Sequence, residues 1–203
     1  SEIGAVEIPL QMKRVALYFG SFNPIHNGHV AVAKYIVTHG LTDKVWIVVS
    51  PQNPFKSPSD LASEQDRLAM ARMATEGQAG ISVSDIEFSM PKPSYTVETI
   101  DRLKALYPDT SFSILCGADI ADTIRQWRQG ERVAAENTIY VYPRRGYACS
   151  DSRFVFLPDA PMTDISSTSV RKAVASGEEI GDCVPPQVEK FIKQHRLYVA
   201  TDR

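Results

Sequence analysis

The sequence predicts an α/β protein with a doubly wound, mostly parallel β-sheet and helices on both faces. The strand-like segments are short apolar runs without polar alternation, as in strands that are buried on both faces. Segments with helical spacing of apolar residues separate these runs, as crossover helices separate parallel strands. No internal repeat or break in composition interrupts the 203 residues. A single domain is therefore expected over residues 13–203, after an N-terminal extension or cloning remnant over residues 1–12.

The predicted elements follow one another in strict alternation at first. Residues 15–19 form an apolar run that ends at Gly20, and residues 30–37 have helical spacing. Further strands are predicted at residues 45–49, 81–83, 112–116, 138–142 and 154–157, and further helices around residues 68–73 and at 96–106, 167–176 and 187–195. Ligands of such sheets lie beyond the carboxyl ends of the strands, near the point where the winding reverses. The loops after Phe19, Val49, Cys116 and Tyr142 are therefore expected to form the site.

Composition and charge exclude several kinds of partner. The 22 Lys+Arg against 24 Asp+Glu give a net charge of −2, without the basic excess of a nucleic-acid-binding surface. Cys116, Cys149 and Cys183 are an odd number at wide spacing, which argues against a disulfide framework and favours a reducing compartment. No stretch approaches the roughly 18 apolar residues of a membrane span, and no signal pattern begins the chain. A cytoplasmic protein without nucleic-acid or membrane partners is expected.

The loop after the first strand predicts a phosphate site. It reads Gly20-Ser-Phe-Asn-Pro-Ile-His-Asn-Gly-His29, so that His26 and His29 straddle the start of a helix, where unpaired N–H groups favour anions. Gly20 is expected to allow a sharp turn, and Gly28 a close approach of the backbone to a ligand. The loop is neither a Walker loop nor the dinucleotide glycine fingerprint. Two surface histidines at a helix cap are the structural alternative, and zinc ranks low because no third ligand follows at a recognised spacing.

A second anion site is predicted in Asp164-Ile-Ser-Ser-Thr-Ser-Val-Arg171. Ser166 or Ser167 can cap a helix there, and Thr168 shares one helical face with Arg171. Taken alone, a capped helix with a surface arginine explains the stretch equally well. Because arginine recognises phosphate in a bidentate manner, the two helix starts together predict a polyphosphate clamp.

The two motifs resemble the HxGH and ISSTxxR signatures of the nucleotidyltransferase superfamily, and within it the bacterial nicotinate mononucleotide adenylyltransferases. From residue 12 onward weaker motifs recur in the expected order: Pro93-Ser-Tyr-Thr96 with Thr99, Gly117-Ala-Asp119, Trp127 and Pro143-Arg-Arg-Gly146. The resemblance implies a Rossmann-like nucleotidyltransferase fold. It also implies adenylyl transfer from ATP to nicotinate mononucleotide in NAD biosynthesis, with Mg²⁺ carried by ATP and no metal held by the protein.

The resemblance implies a role for each motif residue. The catalytic residues would be His26, His29 and Arg171. ATP and its phosphates would be bound by Gly20, Ser21, Phe22, Gly28, Lys56, Gly117, Asp119, Ile165, Ser166 and Ser167. Nicotinate mononucleotide would be bound by Tyr95, Thr96, Trp127, Arg144 and Arg145. The loop Asn53-Pro-Phe-Lys56 departs from the family's Pro-Pro-His-Lys pattern, since it keeps Lys56 but has Phe55 in place of the histidine.

Several alternatives stay open at this point. Trp127 could be a packing residue, Asp119 could simply favour the start of a helix, and Arg144 and Arg145 could be solvated charges beside a turn. A sister transferase that acts on another phosphate, such as phosphopantetheine or a cytidylyl acceptor, would use the same clamp. A nucleotide-binding sensor without turnover would keep the same pocket. The sequence also leaves open whether the acceptor is the nicotinate or the nicotinamide form, and whether the protein is a monomer or a homodimer.

Overall fold

The computed structural model describes residues 12–51 and 61–200. A six-stranded sheet has the order β3-β2-β1-β4-β5-β6, and every neighbouring pair of these strands is parallel. The strands are β1 (Lys13–Gly20), β2 (Lys44–Val49), β3 (Ile81–Ser84), β4 (Thr110–Gly117), β5 (Ile139–Tyr142) and β6 (Val155–Phe156). The winding runs outward from β1 to β3 and then reverses, because β4 pairs with the other edge of β1. The predicted doubly wound fold is confirmed.

Helices connect these strands and follow the last of them. The α-helices within the described ranges are α1 (Asn27–Thr38), α2 (Glu64–Thr75), α3 (Thr96–Leu106), α4 (Ala118–Ala121), α5 (Gly130–Glu136), α6 (Ser167–Ala175) and α7 (Pro186–Gln194). The predictions for α1, α2, α3, α6 and α7 are confirmed. The sequence did not predict α4 and α5, because helices of four and seven residues are too short to show a helical period. Residues 1–11 lie outside the described ranges, so the extension and the single domain stay predictions.

Strand β1 shows why the strands are continuous apolar runs. Ala16 and Tyr18 pack in the core cluster shared with α1, α2 and α7, whereas Val15 and Leu17 pack in a second cluster shared with α3 and α5. Side chains alternate between the two faces of a strand, and here helices cover both faces. The carboxyl ends of the strands are left uncovered by these layers, and the loops that follow them carry the predicted motifs.

A buried arginine on α2 holds two of these loops together. Arg67 is completely buried; its Nε donates to the carbonyl oxygen of Ala62 (2.9 Å), and its Nη1 donates to those of Ser21 (2.8 Å) and Ser50 (2.7 Å). Ser21 follows β1 and Ser50 follows β2. One guanidinium therefore sets the distance between the first two loops of the carboxyl edge.

Replacing Arg67 with Met is expected to lower the free energy of unfolding by about 3 kcal/mol or more, because three carbonyl groups lose a charged donor. Urea unfolding followed by circular dichroism measures this change. The matched control is Arg72→Met on the same helix, where an exposed ion pair with Asp85 at 3.8 Å is expected to contribute less than about 0.5 kcal/mol. Equal losses in the two variants would contradict the role given to Arg67.

Candidate active site

A cavity of about 190 Å³ opens at the carboxyl edge of the sheet, beside the starts of α1 and α6. Both predicted histidines line it, and so do Asp119 of α4 and residues from the loops after β5 and β6. The predicted site residues among its lining are His26, Gly28, His29, Asp119, Arg144, Ser166 and Ser167. The structure therefore brings together the two signature motifs, which are more than a hundred residues apart in the chain.

Backbone N–H groups orient both imidazole rings. Nδ1 of His26 accepts a hydrogen bond from the Gly28 N–H (3.0 Å), and Nδ1 of His29 accepts one from the His26 N–H (3.1 Å). These two bonds form the capping box that begins α1. A ring nitrogen that accepts a hydrogen bond carries no proton, so each neutral ring has its proton on Nε2. The rings stack with their centroids 3.7 Å apart and their planes inclined by 25°, and both residues line the cavity.

Both histidines are neutral near pH 7. Burial, with a smaller contribution from the charge of Arg144, lowers the pKa of His26 to about 4. Burial also lowers the pKa of His29 well below its ordinary value, and His26 and Arg144 lower it further. A polyphosphate in the cavity would thus meet N–H dipoles and the charge of Arg144. Its own negative charge would favour protonation of the rings.

Glycine at position 28 makes room for the first of these rings. A Cβ there would lie 2.9 Å from Cε1 of His26 and 3.1 Å from Oγ1 of Thr163. This close contact at Gly28 is with a histidine of the site, and the predicted approach of its backbone to a ligand stays a prediction. The sharp turn expected at Gly20 does not use a left-handed conformation of that glycine. The left-handed residue in this loop is instead Phe22 (φ 47°), whose ring would lie 3.2 Å from a Cβ at position 20.

The start of α6 is fastened to the same loop. Ser166 is the capping residue, since its Oγ accepts from the Ser169 N–H at 2.9 Å. The hydroxyl of Ser167 donates to the carbonyl of Pro24 (2.9 Å). Arg171 donates through Nη1 to the carbonyl of Asn23 (2.8 Å) and through Nη2 to Oγ1 of Thr168 (3.3 Å). Arg171 thus holds the loop from outside, and it is not among the described residues that line the cavity.

A second cavity of about 480 Å³ adjoins the first. The two cavities share five lining residues, which we call the shared wall: Tyr18, His29, Asp119, Tyr142 and Ser167. The rest of the second lining contains Gly20, Ser21, Phe22, Glu87, Ser94, Thr96 and Trp127. Trp127 is oriented by a hydrogen bond from its Nε1 to Oγ1 of Thr123 (3.1 Å). The edge of the sheet therefore has two adjoining compartments rather than one.

The structure also gives the positions of three residues that the resemblance places at nicotinate mononucleotide. Arg144 lines the first cavity with the histidines, where its Nη1 donates to the carbonyl of Ile165 (3.3 Å). Arg145 is exposed and pairs with Asp164 at 2.8 Å. The ring of Tyr95 lies under the guanidinium of Arg128, 4.5 Å from it.

Gly117 and Lys56 complete the list of predicted ATP-binding residues. Gly117 ends β4 and leaves space for the ring of Tyr142, from which a Cβ would be 3.0 Å away. Lys56 and the neighbouring Phe55 fall outside the described residues, so the role of that loop stays a prediction.

Sequence reasoning missed several polar residues of the two cavities. Tyr18 and Tyr142 occupy apolar strand positions, and nothing in the pattern distinguishes them from core residues. Glu87 is buried at 5% exposure, and its carboxylate accepts from the hydroxyls of Ser94 and Thr99, each at 2.9 Å. Burial raises the pKa of Glu87. A sequence signal for this role existed: Glu87 lies shortly before Pro93-Ser-Tyr-Thr96, and the hydroxyls of this stretch need a hydrogen-bond acceptor where they are buried.

Two further observations concern metals and membranes. In residues 12–51 and 61–200, His, Cys, Asp and Glu side chains form no group of three or more that could hold a metal ion. Over the same ranges, none of the helices has the length and apolar character needed to cross a bilayer.

The cytidylyltransferase-like family matches residues 17–173 of the chain. A relative from Bacteroides fragilis, named "Probable nicotinate-nucleotide adenylyltransferase", is 41% identical over 184 residues, which are 89% of this chain and 92% of the relative. A relative of the same name from Flavobacterium johnsoniae is 39% identical over 91% of this chain and 98% of its own. The chain belongs to the nicotinate-nucleotide adenylyltransferases of the cytidylyltransferase-like family. The resemblance noted in the two motifs is confirmed.

Solved structures agree with the fold of this adenylyltransferase. A Plasmodium falciparum nicotinic acid mononucleotide adenylyltransferase, solved in complex with NaAD, matches it with a TM-score of 0.78 at 23% identity. The match covers 92% of this chain and 97% of the other. A second structure of that enzyme, complexed with APC, matches with a TM-score of 0.76. At this identity the likeness supports the Rossmann-like fold, and the roles of individual residues are argued from the site itself.

Proposed function

We propose that this adenylyltransferase transfers the adenylyl group of ATP to nicotinate mononucleotide, forming nicotinate adenine dinucleotide and pyrophosphate. The observation that carries the proposal is the shared wall between two compartments. A reaction that joins two nucleotides needs two adjoining sites whose phosphate ends meet. We assign ATP to the first cavity, with His26, His29 and Arg144, and the acceptor to the second, with Thr96 and Trp127.

The chemistry needs little beyond positioning. The 5′-phosphate of the acceptor attacks the α-phosphorus of ATP, and the bond from that phosphorus to the pyrophosphate oxygen breaks in line. The attacking phosphate is already ionised near pH 7, because its second pKa is about 6, so no general base is required. The enzyme must bring two anions together and stabilise the charge on the transferred and leaving groups with preorganised donors.

The described residues supply donors of this kind. The neutral rings of His26 and His29 present Nε2–H groups, and the cavity lies beside the starts of α1 and α6, where the helix dipoles favour an anion. Arg144 adds a positive charge to the first cavity. Arg171 acts by holding the loop between the two helix starts, and we propose that its catalytic effect comes through this positioning.

Mg²⁺ enters as part of the Mg·ATP substrate. It would neutralise charge on the phosphates, with water in most of its other coordination positions. Asp119 is the acidic side chain on the shared wall and is the residue we assign to contact with a ribose. We also propose a cytoplasmic location, a role for Lys56 in binding ATP and a role for Arg145 in binding nicotinate mononucleotide, each on the basis of the family resemblance.

Replacing His29 with Ala is expected to lower kcat by about 10²-fold or more, because the transition state loses a preorganised N–H donor. Pyrophosphate release under saturating substrates measures it. The matched control is His39→Ala at the other end of α1, where an exposed histidine is far from the cavities. A His29→Ala enzyme within about twofold of the parent rate would remove this ring from the mechanism.

The acceptor is tested by pyrophosphate release from Mg·ATP with nicotinate mononucleotide, nicotinamide mononucleotide and phosphopantetheine in parallel. We expect nicotinate mononucleotide to give the highest kcat/KM. Preference for another acceptor would leave the ATP site in place and reassign the second cavity. Tight ATP binding without release from any of the three would favour a nucleotide-binding sensor and contradict the proposal.

A further inference from the structure

Two tyrosine hydroxyls meet on the shared wall. The Oη atoms of Tyr18 and Tyr142 lie 2.8 Å apart, and both side chains line both cavities. Tyr18 belongs to β1 and Tyr142 ends β5, so the two rings reach each other across the intervening strand β4. Gly117 at the end of β4 makes this possible, because a Cβ there would lie 3.0 Å from the Tyr142 ring.

The pair has one hydrogen-bond donor to spare. Two hydroxyls carry two protons, and one of them lies between the oxygens. In the part of the chain that the structure describes, the second proton has no acceptor. Tyr18 is 3% exposed, whereas Tyr142 is half-buried. Tyr18 is therefore the inner donor to Tyr142, and the Tyr142 hydroxyl is the one that can donate into the cavities.

The lining at this point combines hydrogen-bond donors with a carboxylate, that of Asp119. The ring of His29 lies edge-on to Tyr18, with centroids 5.8 Å apart, and its Nε2–H donor belongs to the same wall. Arg144 lies in the adjoining lining. Burial raises the pKa of Tyr142 to about 12 and also raises that of Tyr18. Both hydroxyls thus remain protonated and able to donate at neutral pH.

We propose that Tyr142 is a further catalytic residue, which donates a hydrogen bond to an oxygen of the phosphoryl group in transfer, and that Tyr18 is a positioning residue that orients this donor. The inference rests on the proposed function, because the wall holds the reacting phosphorus only if ATP and the acceptor occupy the two cavities. In the transition state charge is spread over the equatorial oxygens of the phosphoryl group, where a preorganised donor stabilises it. A donor chain of this kind also strengthens its outer member.

The test compares Tyr142→Phe, Tyr18→Phe and the double variant with the parent, each removing a hydroxyl and keeping the ring. We expect Tyr142→Phe to lower kcat by about 10-fold or more with little change in KM. Tyr18→Phe should lower kcat by a smaller factor of about three, and the double variant should resemble Tyr142→Phe alone, because Tyr18 acts through Tyr142. Thermal unfolding is measured on the same samples.

The matched control is Tyr140→Phe, on the same strand and the same face of the sheet, whose hydroxyl lies 3.5 Å from the carbonyl of Leu41. It should keep the parent kcat. Parent kcat in Tyr142→Phe, or a rise in KM alone, would overturn the catalytic role, and additive losses in the double variant would overturn the positioning role of Tyr18. All variants are assayed with the acceptor that the parent enzyme uses. If the parent is active and the variants are unaffected, the role of the Tyr18–Tyr142 pair is rejected while the proposed function stands. A parent that turns over no acceptor rejects the proposed function and the pair together.

Discussion

Two hydrogen bonds at the start of α1 connect the fold of this enzyme with its proposed chemistry. The backbone N–H groups of Gly28 and His26 donate to Nδ1 of His26 and His29. They begin the helix, and by the same contact they direct both Nε2–H groups away from the backbone. The preferred N-cap side chains of helices are those of Ser, Thr, Asp and Asn. Here the caps are imidazoles, so the groups that terminate the helix are also the donors that the cavity presents to an anion.

The surrounding structure keeps this helix start in place. Arg67 connects the loop after β1 with the end of β2. Arg171 and Ser167 connect the same loop with α6. Asn23 adds a third attachment, since its Oδ1 accepts from the hydroxyl of Tyr198 at 2.7 Å. The loop is therefore held from three directions before any substrate arrives. This agrees with a reaction whose main requirement is the preorganised placement of two anions.

The sequence predicted the sheet, the longer helices and the two helix starts, because each leaves a periodic or short-range signal. It did not predict α4 and α5, which are too short to show a helical period. It also did not predict that Arg67 is buried, because an arginine in a helical pattern looks the same in the sequence whether it is buried or solvated. Arg144 and Arg145 illustrate the same limit: adjacent arginines of one turn diverge into the first cavity and into solvent. Tyr18 and Tyr142 belong to apolar runs, and only the tertiary structure reveals that their hydroxyls meet across β4.

The central claim is that His26 and His29 are neutral and carry their protons on Nε2. Long-range ¹H–¹⁵N correlation spectra of the histidine side chains test it directly, and the variants His26→Asn and His29→Asn assign their signals among the four histidines. We predict the Nε2–H tautomer for both rings near pH 7, and for His26 down to about pH 5, since burial lowers its pKa to about 4. Burial also holds the pKa of His29 well below its ordinary value. An Nδ1–H tautomer, or protonation of either ring in the free enzyme near its ordinary pKa of about 6.5, would contradict the account.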